Sequence, residues 1–235
     1  MNFLLIGKGK WGSILLENLK KYGDIKKIIR SNDNFKNAKL KEIDWVFIAS
    51  PNKYHYVQVK YFLKKKINVF CEKPLTLSYR QSLKLIEISK NLRVKLYIDD
   101  IEIYKKIKLK IKKKNHILRS KFSNYSFNNC LYALAYHDFY LLSKYIDVVK
   151  AKVEIISKKK LSYKFKITSK KKSFIFEYIL NKKPTHIING KNLNLKRNYI
   201  AIMINNVLFN KKIDFKKNYD RALNANYLID KIKKI

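Results

Sequence analysis

With 235 residues, 47% of them apolar, the chain is long enough to bury one large core or two modest ones. A formal charge of +37 would ordinarily point to a polyanion partner, yet the lysines are spread along the whole length and no finger, RNP or other recognition motif accompanies them. Two cysteines, Cys71 and Cys130, exclude a disulfide framework and a Cys-based metal centre, and no apolar stretch approaches the ~20 residues of a membrane span. Abundant Ile, Asn, Tyr and Phe beside scarce Gly and Pro suggest an A/T-rich coding bias that fills solvated surface with lysine. The N-terminal segment lacks the basic start and small-residue cleavage site of a signal peptide. The expectations are therefore a cytoplasmic setting, no specific nucleic-acid partner, no membrane and no metal.

In chain order, strand-like and helix-like segments alternate through the first half, the pattern of a parallel sheet with crossover helices. Residues 2–6 form an apolar run that ends at Gly7, and residues 11–21 carry Ile14, Leu15 and Leu19 at helical spacing. Residues 25–30, 43–49, 67–71 and 94–98 read as further strands, the second of these apolar enough for burial on both faces. Helices are predicted over 54–65, 78–91 and 101–113, which closes a first domain, 1–115. From residue 116 the pattern changes. An extended stretch at 117–127 and a short helix at 136–145 precede residues 152–157, 162–168 and 173–180. These three alternate apolar and polar residues, as an antiparallel sheet with one wet face does. Short strands are predicted within 185–188 and 199–209, and an amphipathic helix over 214–233. The fold class is α/β: a Rossmann-type parallel sheet, then a smaller α+β domain, 116–235, with a mainly antiparallel sheet.

Three of only five glycines fall in Gly7-Lys8-Gly9-Lys10-Trp11-Gly12. In so glycine-poor a chain, between an apolar strand and a helical pattern, this is a dinucleotide fingerprint rather than a chance string. Gly7 permits the tight turn, Gly9 lets a pyrophosphate approach the backbone, and Gly12 lets helix and strand pack. The pyrophosphate is expected on the helix N-terminus, where N–H groups lack partners. An NAD-preferring site usually has an acid at the end of the second strand. Here that place falls to Arg30, followed by Ser31, and arginine accommodates a 2′-phosphate, so NADP(H) is slightly preferred. The plainer reading of Arg30 is one more solvated cation.

The third and fourth strands carry Trp45-Val46-Phe47-Ile48-Ala49-Ser50-Pro51-Asn52, then His55, then Asn68-Val69-Phe70-Cys71-Glu72-Lys73-Pro74-Leu75. This resembles the Gfo/Idh/MocA oxidoreductase family, in which a strand ends in Pro-Asn, a histidine follows on the next helix, and the fourth strand ends in Glu-Lys-Pro. Residues 97–104 and 131–138 are similar to later segments of family members that act on nucleotide-linked sugars. The resemblance implies an NAD(P)-dependent oxidoreductase. It would transfer hydride to or from a secondary alcohol or ketone of a sugar-like or nucleotide-linked substrate. It implies further that Lys73 lies beside the nicotinamide and the substrate hydroxyl, where its charge stabilises developing alkoxide, and that His137 exchanges the hydroxyl proton. Glu72 and Pro74 would shape the turn that presents Lys73, and Ser50, Pro51, Asn52 and His55 would line the cofactor cleft.

One departure stands out. The family's catalytic aspartate, four residues before the histidine, is Ala133 here. Asp138 and Asp99 are the candidates to compensate. The alternative is a catalytically impaired dinucleotide-binding scaffold or regulator of the same fold. His116 and His186 read as surface residues. A homodimer through the C-terminal sheet is expected if that sheet's open face is apolar, and a monomer if lysines cover it.

Overall fold

The computed structural model describes residues 1–195 and 197–235. Its first strands are short, and all but the largely exposed second are apolar runs buried on both sides. They are β1 (Asn2–Ile6), β2 (Asp24–Ile29), β3 (Trp45–Ile48), β4 (Asn68–Cys71) and β5 (Leu96–Ile98). They form one parallel sheet in the order β2-β1-β3-β4-β5. Side chains alternate across it, so each strand feeds two cores. Leu4, Ile6, Val46, Ile48, Val69 and Ile98 pack with Val59, Phe62 and Leu63 of α2 (His55–Lys64) and with Leu85 and Ile86 of α3 (Tyr79–Leu92). Phe3, Leu5, Phe47, Phe70 and Tyr97 pack on the other side with Leu15, Leu16 and Leu19 of α1 (Lys10–Leu19). The chain runs from β1 outward to β2 and then returns to β3 on the other side of β1. This reversal falls at the C-terminal ends of β1 and β3, the place where ligands bind in open α/β sheets.

Two predicted elements change. The helix predicted over 101–113 is one turn, α4 (Ile101–Tyr104). Beyond it Ile107, Leu109 and Ile111 alternate with lysines, a period of two, and Lys106 takes a positive φ of 50° that no helix tolerates. The strand predicted within 199–209 is instead α7 (Tyr199–Phe209). Its buried residues, Met203, Ile204, Val207 and Leu208, recur at helical spacing and complete the core on the α1 side.

The last helix, α8 (Phe215–Ile232), follows the prediction over 214–233. Near its start Asn218 covers the open edge of the parallel sheet. Its side chain accepts from the Ile98 N–H at 3.0 Å and donates to the Ile98 carbonyl at 2.8 Å, satisfying backbone groups that an edge strand otherwise leaves unpaired. The chain therefore divides into units that are not contiguous in sequence. One is Met1–Tyr104 with Asn198–Leu223, and the other is Lys105–Arg197 with Asn224–Ile235. A single boundary after residue 115 does not describe this division.

The second unit is built on β6 (Lys114–Lys121), β7 (Lys152–Lys159), β8 (Ser162–Ser169), β9 (Lys172–Leu180), β10 (Thr185–Ile188) and the two-residue β11 (Lys191–Asn192). Their order is β11-β10-β6-β9-β8-β7, antiparallel except for the parallel pair β6/β9. The predicted alternation is realised. Tyr163, Phe165, Ile167, Phe174, Phe176 and Tyr178 are buried on one face, while Lys164 and Lys166 pair with Glu177 and Glu154 on the other. Against the buried face lies a helical run made of α5 (Phe127–Cys130), a π-helical stretch (Leu131–Ala135) and α6 (Tyr136–Leu142). Phe139 of α6 meets the rings of Phe165 and Phe176 edge-on. The two-domain α/β architecture expected from the sequence is the one observed. Among the described residues no helix is long and apolar enough to cross a membrane.

Candidate active site

The glycine cluster occupies the turn between β1 and α1, and its three glycines answer to different constraints. Gly7 has φ +90°, and a Cβ there would sit 2.6 Å from the Ala49 carbonyl oxygen at the end of β3. A Cβ on Gly12 would collide with the Gly7 carbonyl. Packing alone therefore demands glycine at both. Gly9 is different: its φ of −74° suits any residue, and a Cβ built on it meets nothing within 4 Å. Among the described residues no protein atom accounts for glycine at this position.

Gly9 is also the N-cap of α1. It brings no side-chain cap, no acid lies in the first turn, and the Gly9 carbonyl accepts the bond from the Ser13 N–H at 2.9 Å. The amides of Lys10, Trp11 and Gly12 precede that bond and lie at the positive end of the helix dipole, an arrangement suited to an anion. Lys8, Lys10 and Trp11 are exposed around it. At the end of β2, Arg30 and Ser31 are exposed, and the Arg30 N–H donates to the Asp33 carboxylate at 2.7 Å. The acid missing from the strand end thus reappears three residues on, in the same turn.

At the end of β3 the Ser50 hydroxyl donates to Gln58 Oε1 at 2.6 Å. Pro51 is exposed, and Asn52 opens a short 3₁₀ turn, Asn52–Tyr54. His55, expected to line a cleft, is fully buried. Its Nδ1 lies 2.8 Å from the Pro74 carbonyl and its Nε2 lies 2.8 Å from the Ser50 carbonyl. Burial holds its pKa below the ordinary value against the pull of these two acceptors. The ring is a strut between the β3 turn and the Glu-Lys-Pro turn.

That second turn is anchored by backbone bonds from Glu72 N–H to Ile48 O and from Asp99 N–H to Cys71 O, at 2.8 and 2.9 Å. Glu72 and Asp99 follow adjacent strands, β4 and β5. Both are buried and their carboxyl groups are hydrogen-bonded to each other. Burial, reinforced by Asp99's charge, pushes Glu72 well above the carboxylate range. Burial likewise raises Asp99 to about 6, opposed by its bond from Glu72. Lys73 is half-buried, its positive charge acts on both carboxyls, and the Lys73–Pro74 peptide is cis. Asp100, the next residue along, is committed elsewhere, to Arg221 and the Tyr97 hydroxyl.

In the other unit His137 stands in the first turn of α6, half-buried, with Nδ1 3.2 Å from the Tyr140 hydroxyl. Ala133 lies in the π-helical stretch just before it, a geometry frequent at functional sites. Asp138 points into the sheet and is fully buried. It accepts from Arg119 at 3.0 Å and from the Tyr178 hydroxyl at 3.0 Å, and lies 2.8 Å from His186 Nε2. His186 is accordingly not a surface residue. It is 2% exposed, opposite Arg119 in the β10/β6 pairing. The signal was its place two residues before Ile188, on the inward face of a strand. His116 is on the wet face, 3.0 Å from Glu177.

This geometry can be set beside known proteins. Residues 20–99 match the model of an oxidoreductase family with an NAD-binding Rossmann fold, GFO_IDH_MocA. The match begins after the glycine turn and covers about a third of the chain. The Gfo/Idh/MocA resemblance seen in the motifs is thus matched by sequence over residues 20–99.

Particular relatives follow. A 33-residue stretch is 64% identical to the uncharacterized oxidoreductase YgjR of Escherichia coli K12, covering 14% of this chain and only 10% of that protein. The fold is similar to UDP-N-acetylglucosamine 3-dehydrogenase GnnA of Acidithiobacillus ferrooxidans, with 15% identity and a TM-score of 0.78 over 98% of this chain and 97% of that one. It is also similar to the WlbA dehydrogenase of Thermus thermophilus, whose structure contains NAD and UDP-GlcNAcA, with 12% identity and a TM-score of 0.73 over 97% and 95%.

Proposed function

We propose that the chain is an NAD(P)-dependent oxidoreductase acting on a CH–OH group of a sugar-like or nucleotide-linked substrate. The observation that carries this reading is Gly9, whose missing side chain is explained by no neighbour among the described residues and fits the close passage of a diphosphate over the α1 amides. A nicotinamide dinucleotide supplies the hydride donor or acceptor. The chain's own residues do the rest. The turn of Gly7, Lys8, Gly9, Lys10, Trp11 and Gly12 binds the diphosphate, and Ser50, Pro51 and Asn52 border it at the end of β3. Glu72 and Lys73 stand at the end of β4, with the Lys73 ammonium stabilising negative charge on the substrate oxygen and His137 moving its proton. His55 acts through the two turns that it joins.

Arg30 favours NADP(H) slightly, and the nearby Asp33 carboxylate tempers that preference. Turnover of a panel of sugar nucleotides with NADH, NADPH and their oxidised forms tests the reading. Activity that falls by about 100-fold or more in Lys73→Ala supports it, and a variant with unchanged turnover refutes the role of Lys73.

A second reading, a dinucleotide-binding scaffold with impaired catalysis, is favoured by one observation. Asp138 is held by Arg119, Tyr178 and His186, so it does not supply the carboxylate missing at Ala133. Tight dinucleotide binding without turnover on the whole panel supports this second reading. A homodimer through the open sheet face is part of the proposal. Leu118, Ile175, Ile179 and Ile187 are half-buried there among His116, Lys164 and Glu177, and sedimentation at increasing concentration tests it.

A further inference from the structure

With Asp138 committed, Glu72 and Asp99 are the carboxyls on which the Lys73 charge acts. Register brings them together. Cys71 pairs with Ile98 across the parallel strands β4 and β5, so the next residues, Glu72 and Asp99, leave the sheet side by side. Both are nine-tenths buried and hydrogen-bonded to each other. Two ionised carboxylates are acceptors only, so a bond between them requires one proton shared by the pair.

The remaining capacity of each is fixed by the backbone. Asp99 Oδ1 accepts from the Ile101 N–H at 2.9 Å, which fits the ionised member, and Glu72 accepts from the Lys73 N–H. The charged and titratable groups around the pair are few. Lys73 is the cation that acts on both carboxyls, Asp100, paired with Arg221, adds a negative charge that raises Asp99, and Cys71 and Tyr104 are close but uncharged at neutral pH.

We propose that Glu72 and Asp99 are positioning residues that act as one unit, a carboxyl pair holding a single proton, whose one negative charge is the counter-ion that keeps the Lys73 ammonium charged and aimed. This deepens the proposed function and rests on it only for the place of Lys73 in the reaction. It assigns to Glu72 a role beyond shaping the turn and to Asp99 a role that does not replace the aspartate missing at residue 133. The pair does not accept the substrate proton. It sets the charge of the residue that meets the substrate oxygen.

The expected behaviour separates charge from shape. Glu72→Gln leaves Asp99 ionised with an amide donor beside it. Asp99→Asn leaves Glu72 ionised in the same way. Each single variant keeps one negative charge, and only the double variant E72Q/D99N removes it while preserving volume and hydrogen bonding. Competitive acetylation with acetic anhydride, read at the Lys73 peptide by mass spectrometry across alkaline pH, reports the charge state of that amine without needing a substrate. The singles should label as wild type does. The double should label about tenfold faster below the amine's pKa, because loss of a nearby counter-ion lowers that pKa by about one unit. A double variant that labels like wild type overturns the proposal.

A second measurement needs no variant to fold in the double form. Infrared spectra of the wild-type protein at neutral pH should show a protonated-carboxyl stretch that disappears in Glu72→Gln, and its absence in wild type overturns the shared proton. NADH binding measured on the same samples separates the two layers. Normal binding with no labelling response sinks the carboxyl pair and spares the cofactor reading. A full labelling response without NADH binding does the reverse.

Discussion

Asp138 and Asp99 are both buried aspartates, and they are treated in opposite ways. Asp138 closes on itself inside the second unit: Arg119, His186 and Tyr178 occupy its lone pairs. Burial alone would raise its pKa, and Arg119 and then His186 overcome that and hold it below the ordinary carboxylate value. Asp99 sits at a strand end in the first unit, next to another acid, and is pushed up to about 6. The first arrangement satisfies the protein. The second is one that folding alone would not choose, and it stands by the same strand ends as Gly9, whose lack of a side chain the protein does not need either. Groups left unexplained by packing gather in one unit, at the end of one sheet. Strain of this kind at a strand terminus points to function rather than stability.

The largest effect should come from breaking the closed cluster. Asp138→Ala leaves Arg119 buried without its counter-charge and should cost about 3–5 kcal/mol, read from the urea midpoint. The pH signs sharpen the contrast. The folded-state pKa of Asp138 is depressed, so the stability it contributes is present above its unfolded value and is lost as pH falls through the folded one, at the acid end. Asp99 is raised. Its contribution is present below its unfolded value and is lost as pH rises through about 6.

At the open corner the effect falls on binding instead. Gly9→Asp should leave the melting temperature within a degree or two of wild type, since the new side chain meets open space, and weaken dinucleotide binding by about 3 kcal/mol or more. Smaller still, Asp99→Asn should change stability by no more than about 1 kcal/mol above pH 6, because Glu72 then carries the buried charge in place of Asp99. Thermal melts across pH check it. A loss there as large as that of Asp138→Ala would erase the distinction between the two carboxylates. The smallest effect is a several-fold shift of the NADPH to NADH affinity ratio in Arg30→Asp, checked by parallel titrations. An unchanged ratio removes Arg30 from the ribose site.

Much of the first unit was legible because its signals are local. Glycine is rare enough here that three in six residues at the end of an apolar run stand out, and strands buried on both faces read as continuous apolar segments. Glu-Lys-Pro gained meaning only from its register with that fingerprint. What escaped was non-local or compositionally masked. Residues 199–209 are rich in Ile and Val, which favour strand propensity. They fold as α7 because a helix-shaped gap beside α1 accepts Met203, Ile204, Val207 and Leu208. His186 read as surface because its partner Arg119 lies 67 residues away and is brought opposite only by strand pairing. The proton shared by Glu72 and Asp99 likewise depends on two strands lying side by side, which no spacing in the sequence announces. His55 was found, but its place as a buried strut was not, since both of its acceptors are backbone carbonyls.

Trp11, 44% exposed at the start of α1, offers a direct reporter. Its fluorescence can be followed as NADH is added to the wild-type protein and to Gly9→Asp. The account predicts saturable quenching in wild type and a dissociation constant at least about 100-fold weaker in Gly9→Asp, with both proteins equally folded. Equal affinity in the two proteins would contradict it, because a diphosphate that crosses Gly9 closely cannot share that space with a carboxylate.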